Sequence, residues 1–86
     1  MDRAEVYKAI NTERDFQEDN KGKEDSHIVE DFPLSAALEA IRYNIDEANA
    51  NWYIEKAPYN DAIRYIRKIA AICVQMGEKY DMLERK

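Results

Sequence analysis

The sequence predicts an all-α fold: a short N-terminal helix, then a long antiparallel helical hairpin, with copies of the chain assembled into a homo-oligomeric bundle. Three observations carry this expectation. Leu34, Leu38, Ile41, Ile45, Ala48 and Trp52 recur at alternating four- and three-residue steps. Ala62, Ile66, Ile69, Cys73, Met76, Tyr80 and Leu83 do the same, and a short break containing Pro58 separates the two runs. Such steps align side chains along one stripe of an α-helix, and two stripes joined by a few residues fold back on one another.

The first helix is expected over residues 3–17, capped by the Asp2 carboxylate and carrying Val6, Tyr7, Ile10 and Phe16 inward. Residues 18–32 are polar and of alternating charge, with Asn20, Gly22, Asp25 and Ser26, and read as a surface loop. The second helix is expected over 33–55, opening at Pro33, whose fixed φ and missing amide suit a first turn, with Asp31 upstream at the positive end of the dipole. The third is expected over 60–84, capped by Asn60 or Asp61, with Gly77 as its one internal breaker and close helix approach as the reason for that glycine. This helix also carries Ile63, Ala70 and Gly77 beside its main stripe, and Tyr65 and Ile72 on a further flank. A hairpin and one short helix leave part of that surface uncovered, which predicts packing against a second subunit; the alternative is that the first helix wraps over it.

Composition narrows the function classes. Residues 1–86 make one domain with a thin core of its own, a size at which a partner surface commonly supplies stability. Thirteen basic against eighteen acidic residues argue against bulk nucleic-acid binding and against an anionic membrane surface. The single Cys73, inside an apolar run, suits a small buried side chain in a reducing compartment, and the N-terminal residues lack the apolar run of a signal peptide. A cytoplasmic location is the expectation, in the host cytoplasm if the chain is phage-encoded.

Four groups of residues bear on chemistry. In the string Glu13-Arg14-Asp15-Phe16-Gln17, Arg14 offers a planar fork of donors and Gln17 an amide that both donates and accepts, a pair suited to a phosphate and a base edge; an ordinary solvated helix end is the plainer reading. His27 stands alone in the polar loop, as a ligand contact, a loop anchor or a solvated side chain, and without a second ligand it makes a poor zinc site. Arg64, Arg67 and Lys68, near Tyr43 and Tyr65, suit phosphate binding with a ring to stack a base, or else line a solvent face. Glu39, Asp46, Glu47 and Asp61 are the carboxylates open to magnesium, a sparse set for an octahedral site.

The order Glu13-Arg14-Asp15-Phe16-Gln17, a polar loop with His27, the run Asp46-Glu47-Ala48 and then Ile66-Arg67-Lys68-Ile69-Ala70-Ala71 resembles a group of small phage and prophage proteins. Those look like compact relatives of the MazG-type all-α nucleotide pyrophosphohydrolases, and the resemblance spans Val6 to about Tyr80. In the enzymes, acid pairs on consecutive helices bind magnesium for cleavage of a nucleoside triphosphate. This chain departs from that pattern: Arg42 follows Glu39, and Arg64 and Arg67 stand where an acid pair would be needed. Basic residues in place of acids turn a cation site into an anion site.

The resemblance therefore implies a non-catalytic, homo-oligomeric protein of phage type that needs no cofactor. It would sequester a small nucleotide, such as a cyclic immune signal, in a pocket between subunits, with Arg14, Gln17, His27, Tyr43, Arg64, Tyr65, Arg67 and Lys68 as the ligand-binding set. The alternatives are a MazG-like magnesium-dependent pyrophosphohydrolase built on Glu39, Asp46, Glu47 and Asp61, and a protein-protein interaction module docking through Tyr65 and Ile72.

Overall fold

The computed structural model describes residues 1–20 and 32–86; His27, Asp31 and most of the expected polar loop lie outside the described residues. Among the described residues the protein is all-helical, with α1 Arg3–Asn20, α2 Leu34–Ile54 and α3 Asn60–Tyr80. None of these helices is long and apolar enough to cross a membrane.

At 18 residues α1 is not short beside its 21-residue neighbours. Asp2 and Glu5 cap its start reciprocally: Asp2 Oδ1 accepts from the Glu5 amide at 2.8 Å, and Glu5 Oε1 from the Asp2 amide at 3.3 Å. The helix runs three residues beyond the expected end at 17. An Arg14–Glu18 pair one turn apart supports the extra turn, and the Asn20 amide donates to the Phe16 carbonyl.

α2 and α3 run antiparallel. At one end Leu34 shares a small apolar pocket with Met76 and Tyr80, and at the other Glu55 reaches the first turn of α3. That reach replaces the expected cap. Neither Asn60 nor Asp61 fills the cap position, which Tyr59 occupies in left-handed conformation (φ 59°) without a side-chain bond. The Glu55 carboxylate instead accepts from the amides of Ala62 at 2.8 Å and Asp61 at 3.2 Å, so an acid from the preceding helix meets the positive end of the dipole.

α3 stops at Tyr80, four residues short of the expected end, because Asp81 adopts the left-handed conformation (φ 56°) and the Met82 amide turns back to the Gly77 carbonyl at 3.0 Å. This is a Schellman-type cap. It also explains Gly77, whose absent Cβ would stand 3.2 Å from Met82. The space serves the tail folding back, not the approach of another helix.

The helices touch along one edge of the expected seam: Ile41, Ala62, Ile69 and Met76 turn inward, and most of the rest of the seam does not. The core is Ala37, Ile72 and Met76, with Phe32, Ala40 and Ile41 packed against it. Ile72 is 5% exposed, whereas Ile66 on the expected stripe is 51% exposed, and Leu38, Ile45, Trp52 and Tyr80 are exposed as well. Cys73, expected to be buried, is exposed. The inward line on α3 passes through Ala62, Tyr65, Ile69, Ile72 and Met76: it keeps Ala62, Ile69 and Met76 of the expected stripe and takes Tyr65 and Ile72 from the further flank in place of Ile66, Cys73 and Tyr80. Ala37, fully buried against Ile72 and Met76, offers only a methyl side chain at this contact, which permits close approach of the two backbones.

α1 packs on α3 and makes no close backbone approach to α2. With α3 in the middle, the described chain is a slab of 37 × 36 × 21 Å. Among the described residues no large side chain is fully buried.

Candidate functional site

The contact between α1 and α3 is polar. Glu13 and Gln17, one helical turn apart, point at α3 and are 8% and 7% exposed, the two buried polar side chains of the described chain. Glu13 Oε1 accepts from Arg67 Nε at 2.8 Å. Gln17 Nε2 donates to the Lys68 carbonyl at 3.4 Å, a long bond to the adjacent residue. Between them on α1, Arg14 donates from Nε to Glu78 at 2.8 Å and from Nη2 to Glu18 at 2.9 Å. Burial on its own would lower the Arg14 pKa; the hydrogen bonds and charges of Glu78 and Glu18 outweigh it, and the guanidinium is held above its ordinary value.

Two polar atoms of this contact have no partner. Arg14 Nη1, a donor, and Gln17 Oε1, an acceptor, are both buried without a hydrogen bond among the described residues. They sit one turn apart on the same helix, and a buried group left unpaired costs about 1–3 kcal/mol. Each such orphan can be satisfied by a water or by a polar group of a ligand.

Beside this contact opens a cleft of about 440 Å³ lined by Thr12, Glu13, Phe16, Arg67 and Lys68. Its size falls within the range of small-molecule sites. Arg67, 42% exposed, spends only Nε on Glu13, so its terminal nitrogens are available to an anion in the cleft. Lys68 holds its ammonium 5.0 Å from the centre of the Tyr65 ring, and the Arg64 guanidinium lies 5.2 Å from the same ring. These two cations rest on an aromatic ring and are not neutralised by a carboxylate, among the described residues.

No family, no curated protein and no solved structure matches this chain.

Of the eight residues the sequence singles out, the structure gathers Arg14, Gln17, Arg67 and Lys68 at the α1–α3 contact, with Arg64 and Tyr65 joined to them through Lys68. Tyr43 is exposed on α2 and is not among the described residues lining the cleft. His27 lies outside the described residues. Thr12, Glu13 and Phe16 line the cleft without having been singled out for it. The signal was their position: Thr12 and Phe16 are one turn apart and bracket Glu13, so one face of α1 presents all three.

Glu39, Asp46, Glu47 and Asp61 do not converge. Glu39 is exposed and bonded to Arg42 at 3.4 Å, and Asp61 opens α3 at the far end of the hairpin. Among the described residues no group of three or more His, Cys, Asp or Glu side chains could hold a metal ion. The cleft itself pairs cations with one carboxylate and a threonine hydroxyl already donated to the Ala9 carbonyl at 2.7 Å. Such a set can hold an anion and orient it.

Proposed function

We propose that this protein binds and sequesters a small phosphate-bearing nucleotide in the α1–α3 cleft without converting it. One observation carries the reading: Arg67 and Lys68 line the cleft from α3 together with Phe16 of α1, and the Arg67 terminal nitrogens are not spent on Glu13. A nucleotide supplies what these groups lack, an anion for the cations and a base for the aromatic ring.

In this reading the Arg67 fork and the Lys68 ammonium take the phosphate. Phe16, exposed within the cleft, offers the base a stacking face. Phe16 suits that role better than Tyr43, which stands away from the cleft, or Tyr65, whose ring already carries Arg64 and Lys68. The resemblance to small phage proteins points to cyclic nucleotides, the signals of bacterial immunity, as the first class to test.

Titration calorimetry of the full chain against a panel of cyclic and linear adenine and guanine nucleotides tests the proposal. The expected result is saturable heat from at least one of them, with Lys68→Ala and Phe16→Ala each weakening binding about tenfold, or ~1.4 kcal/mol. Absence of heat from every nucleotide, with helical circular dichroism showing a folded chain, overturns it.

A further inference from the structure

The apolar residues that the hairpin leaves outside are not scattered. On α2, Leu38, Ile45 and Trp52 repeat at seven-residue steps, and on α3 Ile66, Cys73 and Tyr80 do the same; all six are exposed. A seven-residue step returns to nearly the same side of a helix, so each trio is a straight stripe running the length of its helix. The two stripes share one side of the hairpin. Both trios lie on the same hand of the α2–α3 contact once the helices are set antiparallel, and Leu34 and Tyr80 meet in the apolar pocket at the open end.

Around α3, at about 100° per residue, this stripe stands roughly 140° from Lys68, Gln75 and Lys79. On α3 the apolar stripe and these polar side chains therefore lie on different sides. No charged residue occupies positions 34, 38, 45 and 52 of α2 or 66, 73, 77 and 80 of α3, and Arg42 flanks the α2 stripe on its outer edge.

We infer that this face docks against the same face of a second copy of the chain, forming a two-fold symmetric pair. The area fits. Helices of this length at ordinary spacing give a face about 30 Å by about 20 Å, roughly 600 Å² per copy and about 1,200 Å² across the pair, at the lower end of stable interfaces. The chemistry fits a copy, since a charge-free stripe meets itself without repulsion and an isologous contact needs only self-complementarity. So does the core, whose buried apolar members among the described residues are three alanines, Ile72 and Met76. A chain this thinly packed gains from a cover present whenever the chain itself is present.

The inference does not rest on the nucleotide reading, because the face lies away from the basic side chains of the cleft. It does revise the expected pocket between subunits: in such a pair each cleft belongs to one protomer.

Sedimentation velocity across a wide concentration range, with Cys73 reactivity toward a thiol reagent read in parallel, tests it. The expected results are a mass at least twice the 10.1 kDa chain, slow labelling of Cys73, and a shift to monomer with rapid labelling on Ile45→Glu with Ile66→Glu. Both substituted side chains are solvent-exposed in the single chain, so helical circular dichroism is expected to persist. Tyr43→Glu, on another side of α2, is expected to leave the mass unchanged. A wild-type chain that sediments as monomer at every concentration with freely reactive Cys73, including one that associates only with some other protein, overturns the inference. So does an oligomer that survives the double substitution. Should that variant unfold, the concentration dependence of Cys73 labelling in the wild type decides alone: protection must grow with concentration.

Discussion

Glu13 Oε1 accepts a 2.8 Å hydrogen bond from Arg67 Nε, joining residues 54 positions apart in sequence. This contact ties α1 to α3 and also sets how Arg67 meets the cleft, since the guanidinium is clamped at one edge and open at the other. The carboxylate is nearly buried and the guanidinium partly exposed, so docking of α1 and anion binding share one side chain.

Glu13→Gln keeps the shape of the side chain and removes its charge. Loss of the charge-assisted bond is expected to destabilise the fold by about 1 kcal/mol, because solvent screens the partly exposed Arg67. Nucleotide affinity is expected to move the other way, rising severalfold as the competing anion disappears. Urea denaturation and calorimetry on the same variant check the two signs.

Gln17→Met tests the orphaned acceptor. Methionine fills a similar volume with no unpaired oxygen, so stability is expected to stay within about 1 kcal/mol of wild type or to rise. Nucleotide binding is expected to weaken about tenfold, a ~1.4 kcal/mol loss. Unchanged binding by calorimetry would show that Gln17 does not face the ligand.

Ile72 and Ile66 lie on adjacent stripes of α3 and have different surroundings. Ile72→Ala is expected to cost about 2–4 kcal/mol at any protein concentration, since it opens a cavity between α2 and α3. Ile66→Ala is expected to lower the melting temperature only where copies associate, by an amount that grows with concentration. Thermal melts of both variants at low and high concentration separate the two behaviours.

The same pair shows how far the sequence could be read. Three-and-four spacing gives helices wherever it occurs, so the helical character of all three segments was legible. Which edge of the broad apolar surface faces the neighbour was not. α3 is apolar on more than one side, and the fully buried residue of α2 at the contact is Ala37, which lies beside the stripe of leucines and isoleucines and not in it. The α1–α3 contact was half legible. Arg14, Gln17, Arg67 and Lys68 drew notice as phosphate ligands, while the burial of Glu13 and Gln17 follows from partners more than 50 residues away and resembles a solvated face in sequence.

Asp81→Gly concerns the end of α3. Asp81 holds a left-handed backbone, favourable to glycine, and places a negative charge at the negative end of the helix dipole. The substitution is expected to stabilise the chain by about 1 kcal/mol in urea denaturation, with no change in nucleotide binding.

The most direct measurement is amide chemical-shift mapping of the full chain as a cyclic or linear nucleotide from the binding panel is added. The account predicts saturable shifts centred on Thr12, Glu13, Phe16, Gln17, Arg67 and Lys68, with Leu38, Ile45 and Cys73 undisturbed. Shifts centred on the apolar face, or none at saturating nucleotide, would contradict it.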